Sequence, residues 1–294
     1  MKRLRKVKST FVAYTFLAPS LIGLAIFTLF PVLLSLVTSF STWNFTAGLS
    51  GIQFTGIKNF TALFGDQWFL ASLKNNLIYT VVTVPVTMAI ALILATVVEQ
   101  YVYGKNFIRL LIFIPNIISG VVVSYIWRVL LSNQGALNTF ISWIFGPDLP
   151  QWLGDPHWAF PAIMLMGIWS GIGYVFILYM AGLQNISESL YEAAKLDGAG
   201  GWKQFIHITI PMIRPVSFFI LITQMIFSFR VFTQIQILTH GGPGTSTSVL
   251  AYYIYVTAFQ YYKMGYAAAM TWVVFIIIMI FTLIQWRYQN RGDA

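Results

Sequence analysis

Tyr191-Glu192-Ala193-Ala194-Lys195-Leu196-Asp197-Gly198-Ala199, continued by Ile208-Thr209-Ile210-Pro211, is a polar, glycine-broken stretch set between long apolar runs that carry almost no charge. Its surroundings, residues 184–215, give it several reasons to be structured. Ser189 and Glu192 have capping-box spacing, in which the serine accepts a backbone N–H three residues on and the glutamate reaches back. A short helix is predicted to start there. Leu190, Ala193 and Ala194 give it an apolar side, the alanines permit close approach of a partner backbone, and Gly198 supplies the positive φ that ends helices. After Gly200-Gly201, Trp202 to His207 reads as a second short helix, and Pro211 and Pro215 lead into the next apolar run. The expected product is a helix-turn-helix knuckle lying on a membrane face. An ordinary amphipathic interfacial loop is the plainer reading of the same residues.

Composition fixes the solvent around that knuckle. Hydrophobic residues make up 58% of the chain and charged residues 9%, against roughly 25% charged in an average soluble domain, so the chain belongs in a membrane. The absence of cysteine removes any disulfide framework, thiol nucleophile or thiolate metal site, and His157, His207 and His240 are scattered. A net charge of +9 does not point to nucleic acid here, because the basic residues sit beside apolar segments instead of forming one run.

Apolar stretches of about 20 residues, the length that crosses a bilayer, occur at 11–37, 78–98, 107–131, 160–183, 216–238 and 266–286. An even number of spans puts both termini on one side. The loop charges choose the side: Lys2, Arg3, Arg5, Lys6, Lys8, Lys105, Arg109, Lys195, Lys203, Arg214, Arg287 and Arg291 share one face, against Lys58, Lys74 and Lys263 on the other. The positive-inside rule then assigns the tail 1–10, both termini and the Glu192 loop at 184–215 to the cytoplasm. The first apolar run is too long for a cleavable signal, whose core is about 7 to 15 residues, so it is read as a retained helix. The expected fold is all-α, one polytopic membrane domain of six spans over residues 1–294.

Buried chemistry narrows the function. An ion-driven transporter needs membrane-buried carboxylates, yet Asp66, Glu99, Asp148, Asp155, Glu188, Glu192, Asp197 and Asp293 all fall in loops, tails or span ends. A membrane enzyme needs a convergent acid, base, nucleophile or metal set, and no His-x-x-x-His or buried Asp pair is present. Nor is there a phosphate loop: Gly241-Gly242-Pro243-Gly244-Thr245 lacks the lysine and is assigned to the outer side.

The order Glu-Ala-Ala, three residues, Gly, nine residues, Ile-x-x-Pro, from Glu192 to Pro211, resembles the cytoplasmic coupling loop of ATP-binding-cassette (ABC) importer permeases. The likeness extends along the chain. Phe54-Thr55-Gly56-Ile57-Lys58-Asn59-Phe60, Asn75-Asn76, Phe113-Ile114-Pro115, Leu238-Thr239-His240-Gly241-Gly242-Pro243 and Tyr266-Ala267-Ala268-Ala269 are similar to the carbohydrate-uptake group of that family. The Gly-Gly-Pro segment resembles the subunit type of the maltose permease F protein and the glycerol-3-phosphate permease A protein. This chain departs from the maltose F protein in lacking its additional N-terminal spans and large external loop, and so is closer to the short six-span members.

The resemblance implies a bacterial or archaeal cytoplasmic-membrane heterodimer of two homologous permeases with lipid around them. It also implies two ATPase subunits that bind ATP-Mg, an extracytoplasmic solute-binding protein, no cofactor on this chain, and a first span that wraps the partner. Coupling would fall to Glu192, Ala193, Ala194, Asp197, Gly198, Ala199 and Pro211. In that group the solute path runs between the fourth and fifth spans, which nominates Gly167, Ser170, Gly171 and Tyr174 around Trp169-Ser170-Gly171-Ile172-Gly173-Tyr174, and Gln224, Phe227, Ser228 and Val231 in the fifth. The second set has the i, i+3, i+4, i+7 rhythm of one helical face. Gly167-x-x-x-Gly171 reads equally as the small-residue spacing of close helix packing. Arg230 lies eight residues inside the outer end of its span, about 12 Å at 1.5 Å per residue. It reads as a contact for an anionic solute, or as a side chain that snorkels outward or pairs with a carboxylate of the sister subunit.

Overall fold

The computed structural model describes residues 14–101, 104–146 and 150–292; the tail 1–10, the opening of the first span, Asp148 and Asp293 lie outside them. Helices account for most of the described backbone. They are α1 (Tyr14–Ser39), α2 (Lys58–Leu63), α3 (Gln67–Tyr101), α4 (Lys105–Ile117), α5 (Gly120–Leu130), α6 (Ala136–Phe145) and α7 (Pro156–Leu183). Next come α8 (Glu188–Leu196), α9 (Gly201–Gln204), α10 (Arg214–Phe229), α11 (Thr233–Leu238), α12 (Leu250–Tyr255) and α13 (Met264–Gly292). Among the described residues, five helical runs are long and apolar enough to cross a membrane, six if the bent pair α4 and α5 is counted as one span.

Backbone contacts divide the chain into two compact units, 1–65 with 254–273 and 66–253 with 274–294. In the first unit, α1 leads into a short antiparallel ribbon of β1 (Ser41–Thr42) and β2 (Gln53–Phe54), with Ser41 opposite Phe54. Asn59 is buried and donates to the carbonyls of Ser39 and Ser41, both at 2.9 Å. That amide closes the end of α1, whose last carbonyls have no partner within the helix. Gly265, at the start of α13, comes so close to the Ser41 carbonyl that no β-carbon would fit. Along α1 almost nothing is buried, and Phe16 and Phe27 are more than four-fifths exposed.

The second unit is built on the pairing of α3 with α7, against which α4 and α10 also pack. Bilayer lipid is as apolar as leucine, so such helices associate through close packing and hydrogen bonds rather than water exclusion. The sequence supplies both. Ala91 and Ala95 on α3 are fully buried beside Val175, Phe176 and Tyr179 of α7. Gly173 of α7 admits Asn116 and the Ile112 carbonyl of α4, and Gly182 admits Ile213 and Val216. Asp155 caps α7 by accepting from the His157 N–H at 2.8 Å. That bond, then the imidazole's contact, holds its carboxyl below the usual carboxylate range.

Two expected spans are broken. The third, 107–131, is two helices set at 93°: Ile118 and Ser119 are extended, Pro115 offers no amide to the turn before them, and Ser119 gives no side-chain cap to α5. The fifth, 216–238, stops at Phe229 and resumes at Thr233. No proline causes this second break. The Ser228 carbonyl is instead taken at 3.3 Å by Asn76 of α3, and the Phe232 ring stacks on Tyr252.

Candidate functional site

A cavity of about 490 Å³ lies among α3, α7 and the two broken spans. Gly167, Ser170, Gly171, Tyr174, Gln224, Phe227, Ser228, Arg230 and Val231 all line it, together with residues the sequence reading did not single out. Tyr174 and Phe227 meet edge to face, with ring centroids 6.1 Å apart. The two glycines have different neighbours. A β-carbon on Gly167 would collide with the Tyr79 hydroxyl, whereas one on Gly171 would meet Thr87 Cγ2 at 3.1 Å, with Gln224 Oε1 at 3.9 Å. Gly167 therefore serves helix packing as well as lining. Ser228 is buried, and its hydroxyl is engaged with Thr80 at 2.7 Å and the Met225 carbonyl at 2.8 Å, so it is a structural member of the wall. Ser170 Oγ, by contrast, is buried with no hydrogen-bond partner.

Arg230 is not inside a helix as the span reading expects. It is the C-cap of α10, in the break before α11, where a cation complements the negative end of the helix. The guanidinium forms no ion pair among the described residues. Val231 also lies in the break, so the helical rhythm 224, 227, 228, 231 ends one step early.

The missed lining residues include Tyr79, Thr83 and Thr87 of α3, one turn apart, and Asn116 and Gln234 among several from the broken spans. The signal for those on α3 was the four-residue spacing of Tyr79, Thr83 and Thr87 within a membrane-length helix. Tyr79 donates to Gln234 Oε1 at 3.2 Å and so ties α3 to α11, while Asn116 donates to the Ser170 carbonyl at 3.1 Å.

The second candidate feature is the knuckle. The capping box is corrected here: α8 begins at Glu188 with Ser187 as its N-cap, and the Ser187 hydroxyl pairs with Ser189 at 2.7 Å instead of a backbone amide. The C-terminal end follows the sequence. Gly198 has φ +75°, and Gly198 and Ala199 donate to the carbonyls of Lys195 and Ala194 at 3.1 and 2.8 Å, a Schellman motif. The second helix runs further than His207, from Gly201 through a π turn at Phe205–Thr209 to Met212. Tyr191 to Thr209 at 2.9 Å and Gln204 to the Ala199 carbonyl at 2.8 Å brace the two helices.

Glu192, Ala193, Asp197, Gly198 and Pro211 are exposed on this hairpin, and Ala194 and Ala199 are half-buried. Leu196 is 89% and Trp202 72% exposed, the most exposed of the large apolar side chains on the knuckle. Beside it a groove of about 790 Å³ is lined by Glu99, Lys105, Glu188, Tyr191, Glu192 and Lys195, among others. Glu99 there holds Lys105 at 3.2 Å and Arg109 at 3.0 Å.

Membrane-length helices around a cavity with hydrogen-bonding walls are the arrangement a membrane permease needs. Among known proteins, a lactose transport system permease protein of Rhizobium radiobacter is 35% identical over 278 residues, covering 92% of each chain. A probable ABC transporter permease protein of Bacillus subtilis is 34% identical over 290 residues, covering 97% of this chain and 92% of the relative. The permease fold of a bacterial ABC transporter involved in the import of the acidic polysaccharide alginate matches with a TM-score of 0.86 at 26% identity, over 99% of each chain. Residues 75–291 match the binding-protein-dependent transport system inner membrane component family, and the chain belongs to that family of ABC transporter permeases.

Proposed function

We propose that this chain is one of two homologous permease subunits of an ATP-driven carbohydrate importer, contributing half of the solute path and receiving motion through the Glu192 knuckle. The cavity is the observation that carries this reading: amide and hydroxyl groups of Gln224, Ser170 and Tyr174 stand beside the Phe227 ring within an apolar bundle. Hydroxyls of a sugar take such hydrogen bonds, and a pyranose face takes such a ring. The lactose permease among its relatives supports the same solute class.

Coupling follows from the knuckle's build. A short helix braced at both ends transmits displacement better than a loose loop, and the exposed Leu196 and Trp202 give a partner two apolar anchors beside Glu192. The partner would be a separate ATPase that binds ATP-Mg, with two copies per importer, on the cytoplasmic side. A solute-binding protein would dock from outside. The almost bare apolar surface of α1 would lie against the sister permease and lipid.

Gentle solubilisation of the tagged chain from its native membrane, followed by mass spectrometry of what stays bound, tests this directly. Recovery of an ATPase and a second six-span permease in comparable amounts is expected. Recovery of this chain alone, from a preparation that still transports, would overturn the proposal.

A further inference from the structure

We infer that the solute is an anionic carbohydrate, a uronate or a sugar phosphate, whose acidic group is met by Arg230; this rests on the cavity being the solute path. Arg230 alone among the cavity-lining residues carries a formal charge, and no Asp or Glu shares that wall. Among the described residues no carboxylate stands within ion-pair distance of its guanidinium.

Cations within a membrane protein are costly, and they are retained where an anion or a water-filled path compensates them. Two local facts place Arg230 at the cavity by backbone rather than by chance of rotamer. It occupies the break between α10 and α11, and that break is fixed by the hydrogen bond from Asn76 to the Ser228 carbonyl and by the stacking of Phe232 on Tyr252. Its neighbours then supply the rest of a sugar site: Phe227 and Tyr174 as ring surfaces, and Gln224 for hydroxyls. The guanidinium fork matches the paired oxygens of a carboxylate or phosphate, which a neutral sugar does not offer. The uncapped start of α5, whose Gly120 also lines the cavity, adds positive potential of the same sign.

The test uses the assembled importer in proteoliposomes, with its sister permease, ATPases and binding protein, and reads solute-stimulated ATP hydrolysis and uptake. The probes are uronic-acid oligosaccharides, sugar phosphates and neutral oligosaccharides of matched size, so that the two acidic classes are told apart. Stimulation by an acidic class is expected, with Arg230→Gln lowering uptake of that solute by about tenfold or more, the worth of one charge-assisted hydrogen bond, and Arg230→Lys retaining part of it. Three results would overturn the inference: stimulation by neutral sugars only, undiminished uptake of the acidic solute by Arg230→Gln, or loss in Arg230→Lys as complete as in Arg230→Gln. Stimulation by no carbohydrate of either kind would bring down the importer reading as well.

Discussion

Asn76 shows how one amide can set the geometry of a cavity wall. Its Oδ1 accepts from the Leu250 N–H, an unpaired donor at the start of α12, and its Nδ2 donates to the Ser228 carbonyl near the end of α10, both at 3.3 Å. Asn76→Ala leaves both groups buried without a partner, at a cost of about 1–3 kcal/mol. The expected result is a lower unfolding temperature of the detergent-purified chain; an unchanged midpoint would show that other groups replace the amide. The glycines of α7 divide in the same way. Gly173→Ala forces a β-carbon onto Asn116 and the Ile112 carbonyl, an overpacking of about 1–3 kcal/mol that falls on stability. Gly171→Ala meets only Thr87 closely, so its expected effect is reduced uptake from a folded protein. Equal loss of folded protein in both variants would refute that division. The pairing of Gly167 with Gly171 at four-residue spacing was visible in the sequence, but the close approach of the Ile112 carbonyl to Gly173 was not, because spacing along one helix says nothing about which neighbour approaches it.

At the scale of an element, the knuckle was more legible than the spans that flank it. Gly198 followed by a new helical run announces a left-handed helix end, and φ +75° with the Schellman bonds is what the chain adopts. Gly198→Pro cannot reach that φ and removes the N–H that donates to Lys195. Both it and Glu192→Ala are expected to abolish most uptake while the chain still inserts in the membrane, measured as transport against membrane abundance. Normal uptake by both would remove the coupling proposal. The N-cap lies two residues before the expected Ser189 because serines at 187 and 189 both suit that position, and their hydroxyls bond each other locally. The break at 230–232 was hidden because an apolar run carries no local mark of where another helix will capture a carbonyl, whereas the break at 118–119 follows Pro115, whose missing amide is a local mark.

For the whole molecule, orientation is the property most open to a clean experiment, because the chain has no cysteine of its own. Cysteines introduced at Asp197 and at Gly244, both exposed, should react with a membrane-impermeant maleimide from opposite sides, Asp197→Cys only after the cytoplasmic face is opened. Labelling of Asp197→Cys from outside without opening the cytoplasmic face would refute the assigned topology. The sequence by itself determined the medium, the helical class and the approximate spans, since hydropathy and the 3.6-residue period are properties of the chain alone; the residues nominated for the path came from its resemblance to a family. Tertiary structure decided that the fifth span breaks, that Tyr79, Thr83 and Thr87 of α3 join the same cavity, and that Arg230 stands in a break instead of along a helix. Those outcomes depend on which distant amide or ring reaches a given backbone carbonyl or aromatic face, and in a bilayer, where no water competes for such groups, that pairing settles where a helix ends.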